Sequence, residues 1–233
     1  MSALAQHLAL LGVNVEAVSN HLPPGLALSY RDGVLGLIDK NLGSSPLVVD
    51  FIHGPLSFRS QQHLGGEHLI KACQIKGRKS GTILDATCGL GTDSFLLQQA
   101  GFEVTATEQH PVIHALLKDG LQRFQQATGE NPFTLLCGDA QQLRHEQPFD
   151  VIYLDPMFPT ATKSAKNKKT MQLFQRLHAT STDNASDLLK WATQQPCKRV
   201  VIKRPIKASL INQHKPTFQI MGKTCRFDAF QLS

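Results

Sequence analysis

The spacing of apolar residues changes near residue 80, and the change divides the chain in two. Before it, Leu4, Leu8, Leu11 and Val15 recur at helical intervals and predict a helix within residues 1–20. Two apolar runs, 26–30 and 34–39, flank Arg31-Asp32-Gly33 and predict a hairpin. The runs 47–52 and 56–59 flank His53-Gly54-Pro55 in the same manner and predict a second one. Gly65-Gly66 precedes a helix expected over 67–74. Residues 1–78 therefore read as a small α+β segment, and 79–233 as the main domain.

After residue 80, short runs of β-branched and apolar residues alternate with helical stretches. The runs are 82–87, 103–107, 133–137, 151–154 and 200–203. The helical stretches are about 93–100, 111–126, 164–178 and 185–193. Such alternation predicts an α/β fold, a parallel sheet with crossover helices. Residues 218–221 and 226–230 surround Gly222-Lys223 and predict a closing hairpin, so the sheet should be mixed at one edge.

With 233 residues, 41% of them hydrophobic, the chain can bury an ample core. No apolar run approaches the ~18 residues of a membrane span, and no secretory signal is visible at the N-terminus. The five cysteines are scattered and form no CxxC pair, which speaks against a disulfide framework or a zinc site and for a reducing cytoplasm. His110 and His114 stand four apart on a helix opened by Pro111, but without the glutamate of HExxH they read as a solvated pair. No metal is expected.

Charge is unevenly placed. Residues 1–155 hold 10 Lys/Arg and 15 Asp/Glu; residues 156–233 hold 14 Lys/Arg and 3 Asp. The basic C-terminal third implies a polyanionic partner, or else simply a solvated surface.

The most informative stretch is Asp85-Ala86-Thr87-Cys88-Gly89-Leu90-Gly91-Thr92-Asp93. A strand ends in a glycine turn and a helix opens at once. Gly89 and Gly91 permit tight backbone and close approach of a ligand. Ser94 stands where the dinucleotide pattern GxGxxG requires its third glycine, which disfavours a pyrophosphate cradle and a nicotinamide dehydrogenase. The spacing D-x-x-x-G-x-G resembles motif I of class I methyltransferases, in which the acid lies near the amino-acid end of S-adenosylmethionine. Asp93 either caps the helix or reaches the same moiety. Glu108, at the next strand end, is placed to accept from ribose hydroxyls, with Gln109 beside the adenine. Asp139-Ala140 ends the third strand, where an acid can accept from the adenine amino group.

The fourth strand runs into Asp155-Pro156-Met157-Phe158-Pro159. This resembles the (Asp/Asn/Ser)-Pro-Pro-(aromatic) motif of amino methyltransferases, with Met157 in place of the second proline. An exocyclic amine on a base is a poor nucleophile, because its lone pair is delocalised. Asp155 and the carbonyl of Pro156 can accept its two N–H bonds and aim the lone pair, so that positioning is most of the catalysis. Phe158 can stack on the extruded base. Lys163, Lys166, Lys168 and Lys169 follow directly and could contact phosphates, as could Lys203 and Arg204 at the fifth strand end. Lys223 and Arg226 extend the charge.

These segments together resemble the ribosomal RNA small subunit methyltransferase J family. The resemblance runs from about residue 45 to the end, and its most specific segments are Asp155-Pro156-Met157-Phe158-Pro159 and Lys203-Arg204-Pro205. It implies a class I, Rossmann-like fold with a mostly parallel seven-stranded sheet and an antiparallel C-terminal hairpin. It implies S-adenosylmethionine as cofactor, touching Thr92-Asp93, Glu108-Gln109, Asp139-Ala140 and Asp155. The implied substrate is the N2 of a guanosine near the 3′ end of 16S ribosomal RNA, free or in the small subunit. Two other readings stay open: an amino methyltransferase acting on adenine or a protein glutamine, and a non-enzymatic RNA-binding module.

Overall fold

The computed structural model describes residues 2–41, 45–78, 80–143, 148–156, 172–173, 176–177 and 185–232. Seven strands form one sheet in the order β5-β4-β3-β6-β7-β9-β8. The parallel members are β3 (Thr82–Asp85), β4 (Glu103–Glu108), β5 (Thr134–Cys137), β6 (Val151–Leu154) and β7 (Arg199–Pro205). The last two strands, β8 (Phe218–Met221) and β9 (Cys225–Gln231), form the expected antiparallel hairpin, and β9 pairs antiparallel with β7. The chain moves outward from β3 through β4 to β5, then returns to place β6 on the other side of β3. That reversal opens a crevice at the carboxyl ends of β3, β4 and β6.

Side chains alternate faces along each strand, and the two faces carry different cores. Ile83, Val151, Tyr153 and Val201 pack on one side with helices α5 (Thr92–Gln99) and α6 (Pro111–Thr128). Leu84, Ile152, Leu154, Val200 and Ile202 pack on the other with α7 (Ala185–Thr193). Leu173 and Leu177 are buried, but most of the helix expected over 164–178 lies outside the described residues.

The N-terminal segment departs from expectation twice. Two helices, α1 (Ala3–Leu10) and α2 (Val15–Asn20), stand where a single one was expected. Gly12 ends the first at φ 64°, and the Asn14 side chain caps the second by accepting from Ala17 N at 2.9 Å. The first hairpin is present, as β1 (Leu26–Arg31) and β2 (Val34–Asp39). The second is absent. Leu47 makes a lone bridge to Leu37, and Gly54–Ser60 is helix α3. The Asp50 carboxylate accepts from Ile52 N (2.8 Å) and His53 N (3.0 Å), and this turn leads into a helix whose first turn holds Pro55. A Gly-Pro pair between apolar runs thus marked a helix start, where proline's fixed φ suits the first turn.

This segment shares the sheet's core. The Phe51 ring stacks on Phe95 of α5 (centroids 4.8 Å) and meets Phe124 and Phe133 edge-on. Val49 lies so close to α6 that a Cβ on Gly120 would sit 2.6 Å from Val49 Cγ1. A glycine inside a helix costs about 1 kcal/mol against alanine, and here it admits the N-terminal chain. Asp119, also on α6, is buried and accepts from His7 (2.8 Å), Arg123 (2.8 Å) and Leu35 N (3.3 Å). Helix α4 (His68–Cys73) completes the cover against β7, β8 and β9. Among the described residues, no helix is long and apolar enough to cross a membrane.

Phe51→Ala should destabilise the protein by about 3–5 kcal/mol. Denaturant unfolding followed by Trp191, on the far face of the sheet, should show the full loss in one transition. An unchanged Trp191 midpoint would mean that the segment unfolds apart from the sheet.

Candidate active site

The site is assembled at the carboxyl ends of β3, β4, β6 and β7. Asp85 pairs in register with Tyr153 across β3 and β6, and Tyr153 with Val201 across β6 and β7. Two residues on, alternation brings Asp155 and Lys203 to the same face. Thr87, in the turn after β3, ties the two loops together: its Oγ1 accepts from Asp155 N at 2.6 Å. Ala86 N also donates to Tyr153 O at 3.0 Å. The glycine turn and the first residues of the Asp155 loop are therefore parts of one site.

Asp85 lies beneath the turn, 1% exposed. Its carboxylate accepts from Ser94 Oγ (2.5 Å) and Thr87 N (3.2 Å), fastening the turn to the first turn of α5. Burial pushes its pKa up to about 7, against the opposing pull of the Ser94 hydrogen bond. Ser94, which marked the lost third glycine in the sequence, is the partner of this acid. Gly89 (φ 55°) and Gly91 (φ 73°) both occupy the left-handed region. The Gly91 Cα faces inward: a Cβ there would lie 2.8 Å from Leu117 Cδ1 and 2.9 Å from Phe133 Cζ. Gly91 is thus required by core packing as well as by the turn, rather than by ligand approach alone.

Asp93 does not cap α5. Gly91 is the N-cap, without a side-chain bond. Asp93 Oδ2 instead accepts from Tyr153 Oη (2.6 Å) and Lys203 Nζ (2.8 Å). Lys203 Nζ also donates to Asp155 Oδ2 at 2.8 Å. The lysine so bridges the two carboxylates. Burial opposes charge on Asp93, but the Lys203 ammonium and the bonds from Lys203 and Tyr153 together hold its pKa below the usual carboxylate range. At Asp155, burial raises the pKa, Lys203 pulls it down and Asp93 pushes it up; the net direction is upward.

Lys203 was read as a phosphate contact. In the structure its ammonium pairs with two carboxylates. Arg204 is 7% exposed and donates to Ser209 O (3.0 Å). Arg226 is likewise buried and pairs with Asp228 (2.8 Å). The histidine pair is buried rather than solvated. His110 caps α6, its Nδ1 accepting from Val112 N at 3.3 Å, and burial drives the His114 pKa down to about 4.

The other strand-end residues surround the crevice. Glu108 is buried and accepts from His110 N at 2.7 Å, while Gln109 is exposed. Asp139 is half-buried and accepts from Gln141 N (2.9 Å); Ala140 is buried. Thr92 is exposed at the helix start. Pro156 is buried beside Asp155. Phe158, Lys163, Lys166, Lys168 and Lys169 lie outside the described residues. Sequence reading missed Tyr153 and the bridging role of Lys203. A tyrosine in an apolar strand, two positions before Asp155, was the available signal. All five cysteines are free thiols, and no cluster of metal-ligating side chains occurs among the described residues.

Residues 8–232 match the family model described as "Putative SAM-dependent methyltransferase". The chain belongs to this family. The match begins well before residue 45, so the N-terminal segment is part of the family's common structure. Among similar proteins is the ribosomal RNA small subunit methyltransferase J of Alcanivorax borkumensis, 39% identical over 207 residues, covering 88% of this chain and 83% of that one. The protein of the same name from Aeromonas salmonicida is 43% identical over 194 residues, covering 79% and 77%. A crystal structure of a SAM-dependent methyltransferase from Neisseria gonorrhoeae superposes with a TM-score of 0.68 at 30% identity, covering 94% of this chain and 92% of that one. The fold is the class I methyltransferase fold, the cofactor is S-adenosylmethionine, and the protein is a methyltransferase. The donor set fits that cofactor: a glycine turn at positive φ and carboxylates at three successive strand ends.

The raised pKa of Asp85 has a stability consequence. The folded state holds this proton above the unfolded value near 4, so stability is greatest at low pH and is lost as pH rises toward about 7. Asp85→Asn should therefore gain stability relative to the wild type as pH rises from about 4 to about 7, and no further above that. Urea unfolding across that range measures it. A difference independent of pH would mean that Asp85 is ionised in the folded state throughout.

Proposed function

We propose that this methyltransferase modifies the exocyclic N2 of a guanosine in 16S ribosomal RNA. The observation that carries the reading is the Thr87–Asp155 hydrogen bond, which fixes an acid beside the cofactor turn. The name of the relatives, ribosomal RNA small subunit methyltransferase J, supports RNA as the substrate. The basic C-terminal third supports a polyanion.

S-adenosylmethionine supplies an electrophilic methyl group on a sulfonium sulfur. Thr87, Gly89, Gly91, Thr92, Asp93, Glu108, Gln109, Asp139, Ala140 and Asp155 are the residues assigned to it, with Asp85 fastening the turn from below. Glu108 suits ribose hydroxyls, Asp139 the adenine amine, and Gln109 the adenine face. Asp155 and the Pro156 carbonyl accept the two N–H bonds of the target amine. This favours a pyramidal nitrogen with its lone pair directed at the methyl group, and positioning supplies most of the rate. Phe158 is assigned to stack on the base, and Lys163, Lys166, Lys168 and Lys169 to neighbouring phosphates. A cytoplasmic location with small ribosomal subunits or their RNA follows from this substrate.

Asp155→Ala should lower methyl transfer by at least about 100-fold while cofactor binding, measured by calorimetry, largely survives through the other residues assigned to it. Purified protein with labelled cofactor should mark 16S RNA or small subunits, and neither DNA nor protein. Label on DNA or on protein, with none on RNA, would replace the RNA reading.

A further inference from the structure

We propose that Lys203 is a positioning residue for methyl transfer, which orients the Asp155 carboxylate and joins it to Asp93 on the cofactor helix. The inference rests on the function proposed above for Asp155. Lys203 Nζ stands 2.8 Å from Asp93 Oδ2 and 2.8 Å from Asp155 Oδ2. The ammonium is mostly sheltered, its side chain 28% exposed, and burial acts against its charge; the two carboxylates override this and hold its pKa above the ordinary value. Such a cation remains protonated at any working pH.

The geometry divides the work of the Asp155 oxygens. Oδ2 is taken by Lys203. Among the described residues Oδ1 accepts no bond, which leaves it for an amine N–H. Asp155 is held at two points, its backbone N–H by Thr87 Oγ1 and its Oδ2 by Lys203. It is therefore set before a substrate arrives. Tyr153 Oη, held on the same strand, fixes the other end of the bridge at Asp93.

Charge in the surroundings makes the lysine necessary. Asp93 and Asp155 face the same ammonium, and both carboxylates act electrostatically on Asp85. Three carboxylates in a sheltered site disfavour one another's ionisation. Arg59 acts on Asp93 from α3, but its guanidinium is held by Glu67 at 2.8 Å through both oxygens. Cys225, on β9, is a thiol whose pKa is raised, first by burial, and it brings no positive charge. Lys203 is the cation in direct contact with Asp155 among the described residues.

Three proteins test this: wild type, Lys203→Met and Lys203→Arg. With RNA as acceptor, Lys203→Met should lower kcat by about 100-fold with little change in the KM for RNA. The acidic limb of its kcat–pH profile should move to higher pH, and Lys203→Arg should restore part of both. A rise in KM with kcat and the acidic limb unchanged would mean that Lys203 contacts RNA phosphate, and would overturn the proposal. Carbon-13 NMR titration of labelled aspartate needs no substrate. In Lys203→Met the Asp93–Asp155 pair should titrate at higher pH than in the wild type, with the fold checked by circular dichroism; an unmoved titration overturns the proposal. A wild type inactive on RNA but with this NMR shift intact would defeat the RNA assignment and leave the Lys203 bridge standing.

Discussion

The pairing of β3 with β6 is the constraint on which the site depends. These strands are far apart in sequence and become neighbours only because the chain reverses direction across the sheet. Their register sets Asp85 opposite Tyr153. The residues that follow each strand must then leave the sheet side by side, and Thr87 hydrogen-bonds Asp155 N. A shift of one residue in that register would turn Tyr153 to the opposite face and break the bridge to Asp93.

A second consequence is electrostatic. Among the described residues, three carboxylates and one ammonium share a partly shielded volume, where their mutual effects are felt. Buried ion pairs often add little net stability, because desolvation offsets attraction. Their presence here is better explained by what they position than by what they stabilise. Asp85, with one hydroxyl and one backbone donor and no cation in contact among the described residues, bears the cost of burial as a raised pKa. Asp93, with Lys203 and Tyr153, does not.

The N-terminal segment contributes to the same arrangement from beneath. Phe51 and Val49 occupy space against α5 and α6 that glycines at 91 and 120 leave open. The glycine turn is thus packed from the core side by residues about 40 positions earlier in the chain. This gives a physical reason for the family match to extend to residue 8. The segment is part of the fold that supports the turn.

Much of this protein was legible in its sequence. The change of apolar period near residue 80 determined the α/β class, since period two and period 3.6 bury different faces. The segments Asp85-to-Gly91 and Asp155-Pro156, through their resemblance to methyltransferase motifs, pointed to the cofactor and to the amine acceptor proposed above, because local backbone geometry carries that chemistry. Local signals failed where one signal had two meanings: Gly54-Pro55 opens a helix as readily as a turn, and His110-His114 looks solvated until α6 is docked. Only the tertiary structure decided the use of each charge. Lys203, Arg204 and Arg226 read alike as cations in a basic stretch, yet one bridges two acids and the others are buried in the sheet's antiparallel margin. A charge's role depends on what lies within a few ångströms of it, and those neighbours come from strands that meet only after folding.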